Sequence, residues 1–498
     1  MADCLVQKLA LPTGKIIEVN TGLFINNEFV KSVEGKTFET IDPATEKLIC
    51  NVAEATAKDI DRAVDAATEA FEKVWQHVDG KERGRLLYKF AELIERDKEE
   101  LAALESLDSG KAYSIALTQD LVACIDIIRY YAGWADKIHG KVVETGHNKF
   151  CYTRHEPIGV VGQIIPWNYP LVMLTVKLGP ALACGNTVVL KPAEQTPLSA
   201  LKAASLIKEA GFPPGVINIV PGFGPIAGTA IARHMKIGKV AFTGSTATGR
   251  SILKDAAETN LKKVTLELGG KSPNIIFEDA DLDQAIKWAY YGVYANHGQC
   301  CTAGSRVYVQ DSIYDKFLQK FKECSQSKKI GNPFDPDTFQ GPQISKTQFD
   351  RIMSFIETGK KEGATCFMGG KRHGDKGYFI EQTIFTDVNE DMKIMQEEIF
   401  GPVVAISKFK TDEEAIEKGN MTKYGLAAAV FTKDVARAFK LSSAIKAGTV
   451  WVNCYNSVDT NAPFGGYKES GHGRENGKYA LEHYTEVKTV QINLGLKM

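Results

Sequence analysis

No CxxC pair occurs anywhere in the 498 residues, although ten cysteines are present. Scattered cysteines without paired spacing argue against a disulfide framework and against a structural zinc site. In a reducing compartment most of them pack as small apolar side chains. Net charge is almost absent as well, 60 Lys and Arg against 61 Asp and Glu. So even a balance offers little to a polyanion, which argues against nucleic acid or an anionic membrane surface as partner. Pairs such as Lys262-Lys263 read as solvated faces. No apolar run approaches the roughly 18 residues of a membrane helix. The opening MADCLVQKLALPTGK lacks the basic-then-apolar order of a secretory signal and the Arg- and Ser-rich bias of a transit peptide; the cytosol is the expected compartment. Repeats, low-complexity tracts and Pro/Ser-rich linkers are missing too.

What is there suits a large soluble core: 44% hydrophobic and 24% charged residues, with length for about two to four domains. Residues 57–110 read as helices, with Leu86, Leu87, Phe90, Leu93, Ile94, Leu101 and Leu104 at helical spacing. From residue 158 short apolar runs alternate with helical stretches. GVVGQII (159–165), TVVL (187–190), GVINIV (215–220), KVAFT (239–243) and KVTLEL (263–268) are predicted strands. The stretches 171–185, 198–210, about 225–234 and 246–258 are predicted helices, and Gly185 and Gly211 end the first two. This alternation is the signature of a doubly wound parallel α/β sheet, which binds nucleotides at the carboxyl ends of its strands. A second α/β series begins near residue 270 with NIIF (274–277), a helix over 281–296, RVYV (306–309), PVVAISKF (402–409), AAAVFT (427–432) and GTVWVN (448–453). The tail TEVKTVQINL (485–494) alternates like a strand and is expected to pair with another subunit.

Two glycine-rich stretches compete for a dinucleotide. PGFGPIAG (221–228), with Gly222, Gly224 and Gly228, is one residue longer than G-x-G-x-x-G. FTGSTATG (242–249), with Gly244 and Ser245, follows a strand and opens a helix, so its N–H groups and helix N-terminus can meet a diphosphate. The second has the better context, although either could be only a tight turn.

NHGQCCTAG (296–304) sets two cysteines side by side behind Gly-Gln. They could be core filler, half of a metal site, a redox pair, or a nucleophile and its neighbour. Other stretches decide between these: PWNYP (166–170), KPAEQTP (191–197), FTGST (242–246), LELGGKSP (266–273), GQCC (298–301), EEIFGPV (397–403) and PFGGYKESGHGRE (463–475). In this order they resemble the NAD(P)-dependent aldehyde dehydrogenase superfamily, over essentially the whole chain. Spacing and length are most similar to its tetrameric cytosolic class, which oxidises aliphatic, aromatic and retinoid aldehydes.

The resemblance implies oxidation of an aldehyde to the acid with reduction of NAD. Cys301 is then the nucleophile, and a thiolate of lowered pKa suits the formation of a thiohemiacetal and thioester. Asn168 and the Cys301 N–H are implied as oxyanion donors, and Glu267 as the base, with Gly269-Gly270 letting it swing. Lys177 and Glu475 match a proton relay. Lys191 and Glu194 fall at the adenosine ribose, where a carboxylate favours NAD and repels the 2′-phosphate of NADP, the weaker alternative. Glu398 and Phe400 match the nicotinamide-ribose residues, Gln348 the adenine side; Ile165, Trp167 and Leu268 also border the cofactor. The substrate pocket is implied to include Ala123, Tyr169, Met173, Val176, Cys300, Thr302, Val458 and Phe464. The small Val176 and Val458 suggest a wide tunnel for medium-chain or aromatic aldehydes. No metal is implied.

Blander readings stand beside these roles. Asn168 could form an Asx-turn before Pro170, Glu267 could be a satisfied core carboxylate, and Lys177 could merely snorkel from its helix. Ester hydrolysis is a plausible side activity, and a structural protein on this fold would not need the intact Cys301 and Glu267. The expected organisation is an NAD-binding domain (1–138 and 158–267), a catalytic domain (268–477), and a small β oligomerisation element (139–157 and 478–498).

Overall fold

The computed structural model describes residues 5–498, so Cys4 lies outside the described residues. Two large sheets dominate. The first has eight strands, and its centre is five parallel strands in the spatial order Lys263–Glu267, Lys239–Thr243, Val160–Ile164, Thr187–Lys191, Ile217–Ile219. Helices cover it, so Val160–Ile164 and Thr187–Lys191 are buried at every position, which is why they read as unbroken apolar runs. The chain runs outward from Val160–Ile164 in one direction, then returns to build the other half. That reversal makes a crevice at the carboxyl edge, where Lys191 ends its strand and Ile165, Pro221, Gly244 and Leu268 follow theirs.

The second sheet has seven strands, with Pro273–Ile276, Arg306–Gln310, Val403–Phe409, Thr383–Thr386, Ala427–Phe431 and Thr449–Val452 parallel and Thr365–Met368 antiparallel at one edge. Cys301 and Phe400 precede its strands Arg306–Gln310 and Val403–Phe409. The amino edge of the second sheet therefore meets the carboxyl edge of the first.

Strands and helices from residue 158 onward match the predicted series to within a few residues. The predicted helix near 225–234 is split into a π-helical turn, Gly224–Gly228, and a short helix, Thr229–Arg233. The helical stretch 57–110 is three helices, Ala57–Lys73, Gly80–Arg96 and Lys98–Ser109. Six strands before residue 54 are a departure: Leu23–Ile25 and Glu28–Val30 extend the first sheet, and the others form two antiparallel pairs.

The tail strand has a partner within its own chain: Thr485–Asn493 pairs with Lys149–Pro157, antiparallel over nine residues. With Val142–Val143 they form a three-stranded sheet in which the tail strand is one edge. So long an intrachain register satisfies one side of the strand without a second subunit.

Arg306 joins the second sheet to the segment after Glu267. It is 1% exposed, and its guanidinium donates to the carbonyls of Lys271 (2.8 Å), Lys418 (2.9 Å) and Gly419 (3.1 Å) and to the Tyr308 hydroxyl (3.1 Å). Arg306→Leu removes the guanidinium from the buried Lys271 and Gly419 carbonyls, while Lys418 O keeps the Met421 N–H and the Tyr308 hydroxyl. We expect a loss of about 3 kcal/mol in urea unfolding; a loss under about 1 kcal/mol would mean that water replaces the guanidinium.

Candidate active site

Where the two sheet edges meet lies a cavity of about 190 Å³. One wall comes from Trp167, Asn168, Tyr169 and Met173, the floor from Glu267, Leu268 and Cys301, and the far wall from Gly244, Ser245, Gln348, Glu398 and Phe400. Expected site residues far apart in the chain are thus brought together. Ile165, Lys177, Glu475, Ala123, Val176, Cys300, Thr302 and Phe464 are not among the residues that line the cavity. Val176 packs in the core of the first sheet, and Val458 is 57% exposed. Lys191, Glu194 and Gly224 cluster at a second point of the same carboxyl edge. There the buried Lys191 ammonium donates to the Gly222 carbonyl (2.7 Å) and to Glu194 (3.3 Å), so the PGFG and KPAE stretches form one unit.

The cysteine loop owes its shape to backbone strain. Asn296, His297 and Gly298 are successive left-handed residues, with φ of 49°, 61° and 72°. Such a run is uncommon for side-chain-bearing residues, and hydrogen bonds hold it: Asn296 Nδ2 donates to the carbonyls of Asn168 (2.9 Å) and Gln299 (3.1 Å). The His297 ring lies 2.6 Å from the Pro342 carbonyl. The Asn168 amide donates to Gln299 O at 3.0 Å, which ties it to this loop instead of to an Asx-turn.

Glu267 is buried, and its Oε2 has no hydrogen-bond partner. Burial, then the nearby charge of Glu475, pushes its carboxyl well above the usual range, against the pull of Lys177 and Arg474. Lys177 and Glu475 pair directly. A buried carboxylate with a free oxygen is costly in a core and common at reacting centres. Gly269 and Gly270 have no left-handed backbone, so swinging is not what requires glycine there. A Cβ at Gly269 would lie 2.3 Å from Glu398 Oε2, and one at Gly270 2.4 Å from the Cys301 carbonyl. Close approach to backbone is the reason at Gly270; at Gly269 the near group is the end of the Glu398 side chain.

The thiols depart from expectation. The hydrogen bond with Cys300, burial and the charges of Glu398 and Glu267 push the Cys301 thiol up, not down. Cys300 is drawn down instead, first by Cys301, then by Thr302 and Tyr169, against burial. The Thr302 hydroxyl lies 3.1 Å from Cys300 Sγ and donates to Asn456 Oδ1 (2.8 Å).

On the far wall, Phe400 has a φ of 61°, strained for so bulky a side chain. Gln348 donates to its carbonyl at 2.9 Å, and the Trp167 ring meets it edge-on at 5.2 Å. Gln348 therefore belongs with Glu398 and Phe400, not with the Lys191–Glu194 end: its helix, Lys346–Lys361, directs it to the EEIFGPV backbone. Burial holds the Glu398 carboxyl at about 7, against the Gly270 N–H that it accepts at 3.2 Å. Arg351, absent from the sequence reading, donates to the Glu398 carbonyl (3.1 Å) and lines the cavity. Its only signal was its place one helical turn after Gln348.

A doubly wound sheet whose carboxyl edge faces a thiol, a carboxylate and an amide in one cavity suits a dehydrogenase-type oxidoreductase. The aldehyde dehydrogenase family profile matches residues 29–490. The chain is 65% identical over 474 residues to an aldehyde dehydrogenase of Emericella nidulans, covering 95% of each. To aldehyde dehydrogenase 1A1 of Homo sapiens it is 57% identical over 479 residues, 96% of each. The NAD+ complex of a Bacillus cereus aldehyde dehydrogenase superposes with a TM-score of 0.94 at 55% identity, over 95% of this chain and 97% of that one. The chain belongs to the aldehyde dehydrogenase family.

Gly298 tests the loop. Its φ is left-handed, and a Cβ there would lie 2.0 Å from the Gly401 carbonyl, in backbone that cannot yield. Gly298→Ala should cost about 3 kcal/mol or more of stability and displace both Cys301 and Phe400. A thermal midpoint and turnover close to those of the native protein would contradict this packing.

Proposed function

We propose that this chain oxidises an aldehyde to the carboxylic acid with reduction of NAD, through a covalent intermediate on Cys301. The observation that carries the reading is that one cavity holds the Cys301 thiol, the unpartnered oxygen of Glu267 and the Asn168 amide, with Glu398 and Phe400 opposite. In this reading the Cys301 sulfur attacks the aldehyde carbon. The Asn168 amide and the Cys301 N–H donate to the oxyanion, each such donor contributing about 3 kcal/mol. Bound NAD supplies the acceptor for the hydride that leaves the tetrahedral carbon. A thioester remains on Cys301, and Glu267 takes the proton of the water that attacks it. Lys177 and Glu475 pass that proton on.

The residues fit a dinucleotide. The helix Thr246–Glu258 opens at the crevice with Ser245 as its cap, a setting that favours a diphosphate. Glu398 and Phe400 suit the nicotinamide ribose, and Glu194 beside Lys191 suits an adenosine ribose and disfavours NADP. We further propose the division into NAD-binding, catalytic and small β segments, a homotetramer, and a cytoplasmic location. The outer edge of Thr485–Asn493 is open, and Val487 and Ile492 on that strand are exposed, which supports an assembly surface. Medium-chain or aromatic aldehydes are proposed as the preferred class on the small size of Val176 and Val458 alone, since neither lines the described cavity. Purified protein mixed with NAD and an aldehyde panel should show NADH absorbance; none with any aldehyde would overturn the reading.

Variants separate the half-reactions. Cys301→Ser should almost abolish oxidation, whereas Cys300→Ser should keep turnover. Glu267→Gln should slow turnover by a factor of about 100 to 10,000, leaving a burst of NADH and an acyl group on Cys301 by intact mass. If the burst disappears too, Glu267 also ionises Cys301; if turnover is unchanged, Glu267 is not the base.

The raised Glu267 carboxyl predicts a pH limb. The base works deprotonated, so kcat should rise with pH through its elevated pKa. Glu475→Gln removes the charge that raises it and should move the limb to lower pH. Lys177→Met removes the charge that lowers it and should move the limb to higher pH. Shifts of both in the same direction would show that the limb belongs to another group.

A further inference from the structure

Beneath the PWNYP turn lies a buried ionic cluster to which the mechanism above gives no task. Lys111 pairs with Asp120, and its ammonium lies 3.9 Å from the Glu105 carboxylate. The three side chains are 1%, 6% and 0% exposed. Burying one ammonium with two carboxylates gains little stability over an apolar replacement, so the contacts of the cluster are informative.

Both contacts fall on the residues just after Asn168. The Lys111 ammonium sits over the Tyr169 ring, 3.9 Å from its centroid, a desolvated cation–π arrangement. Glu105 Oε2 accepts the Leu171 N–H at 3.0 Å. That N–H needs an outside partner. The helix Pro170–Ala183 begins with Tyr169 at the cap position, which has no capping oxygen, and with Pro170, which has no N–H. Glu105, from the helix Lys98–Ser109, does the work that a capping Ser or Asp does elsewhere. Asp120 ends a π-helical turn, Ala116–Asp120, the kind of local widening that re-aims a side chain at functional sites. On its other side Asn168 is held by Gln299 O. The amide is therefore clamped between the cysteine loop and this cluster.

We propose that Lys111, Glu105 and Asp120 are positioning residues that aim the Asn168 amide at the aldehyde oxygen by fixing Tyr169 and the first turn of the helix behind it. The inference rests on the reading of Asn168 as an oxyanion donor. An amide displaced by a fraction of an ångström loses much of its effect on the reacting centre while leaving remote binding intact.

A double-mutant cycle on the full-length protein tests it. The burst of NADH is measured by stopped flow in native protein, Lys111→Met, Asn168→Ala and the double variant, with NAD affinity from tryptophan quenching. Lys111→Met should slow the burst about tenfold and change the Kd for NAD by less than about twofold. In the Asn168→Ala background the same substitution should change the burst by less than about twofold, since no amide remains to be aimed. Equal slowing in both backgrounds, or no slowing by Lys111→Met, overturns the inference while a strong Asn168→Ala effect leaves the oxyanion reading standing. If Asn168→Ala alone leaves the burst unchanged, reading and inference fall together. Asp120→Asn, nearly isosteric, goes through the same cycle and decides the matter if Lys111→Met fails to fold.

Discussion

Everything at the site depends on loop backbone being approached more closely than a Cβ would permit. The carboxyl edge of one sheet faces the amino edge of the other, and the loops between them interlock at three glycines. Gly269 lies against the Glu398 carboxylate, Gly270 against the Cys301 carbonyl, and Gly298 against the Gly401 carbonyl. These contacts run from the Glu267 strand to the cysteine loop, and from the cysteine loop to the EEIFGPV turn. The base, the nucleophile and the residues opposite are thereby held in one rigid frame. Interiors packed this densely transmit displacement, so the site behaves as a unit.

Within that frame the electrostatics work against ordinary ionisation. Glu267 and Glu398 are raised by burial, and the Cys301 thiol is raised by its neighbour, by burial and by those two carboxylates. Negative charges that crowd a desolvated space hold on to protons. The resting site is thus closer to neutral than a count of its acidic groups suggests. A reagent that brings positive charge, or a water that accepts a proton, changes the balance for several groups at once.

The doubly wound core was legible because its strands are buried on both faces and its helices end at left-handed glycines such as Gly211. The strands before residue 54 were not. Leu23–Ile25 is buried but only three residues long, and most of the others are half-exposed, as in Val6–Ala10, where only Leu9 is buried. The main site residues were legible through ordered motifs, whose spacing records which loops meet. Contacts that motifs do not encode stayed hidden. Gln348 was assigned to the wrong end because its partner, the Phe400 carbonyl, is a backbone atom with no sequence signal. The rise of the Cys301 pKa depends on which groups surround it in space. Lys111 sits in DSGKAY (108–113), which in sequence looks like the turn after a helix, and nothing there points to Tyr169.

The pairing of Lys149–Pro157 with Thr485–Asn493 has a consequence in time. On the ribosome the inner strand emerges long before its partner. At about 5–20 residues per second, the interval between them is on the order of tens of seconds. Throughout that wait a nine-residue edge stands without its neighbour, and both large sheets can form around it. Such an edge is open to pairing with any extended chain nearby. The strand that closes it is made long after both large sheets, and a chain interrupted before Thr485 would carry a nearly finished enzyme with an adhesive strand exposed.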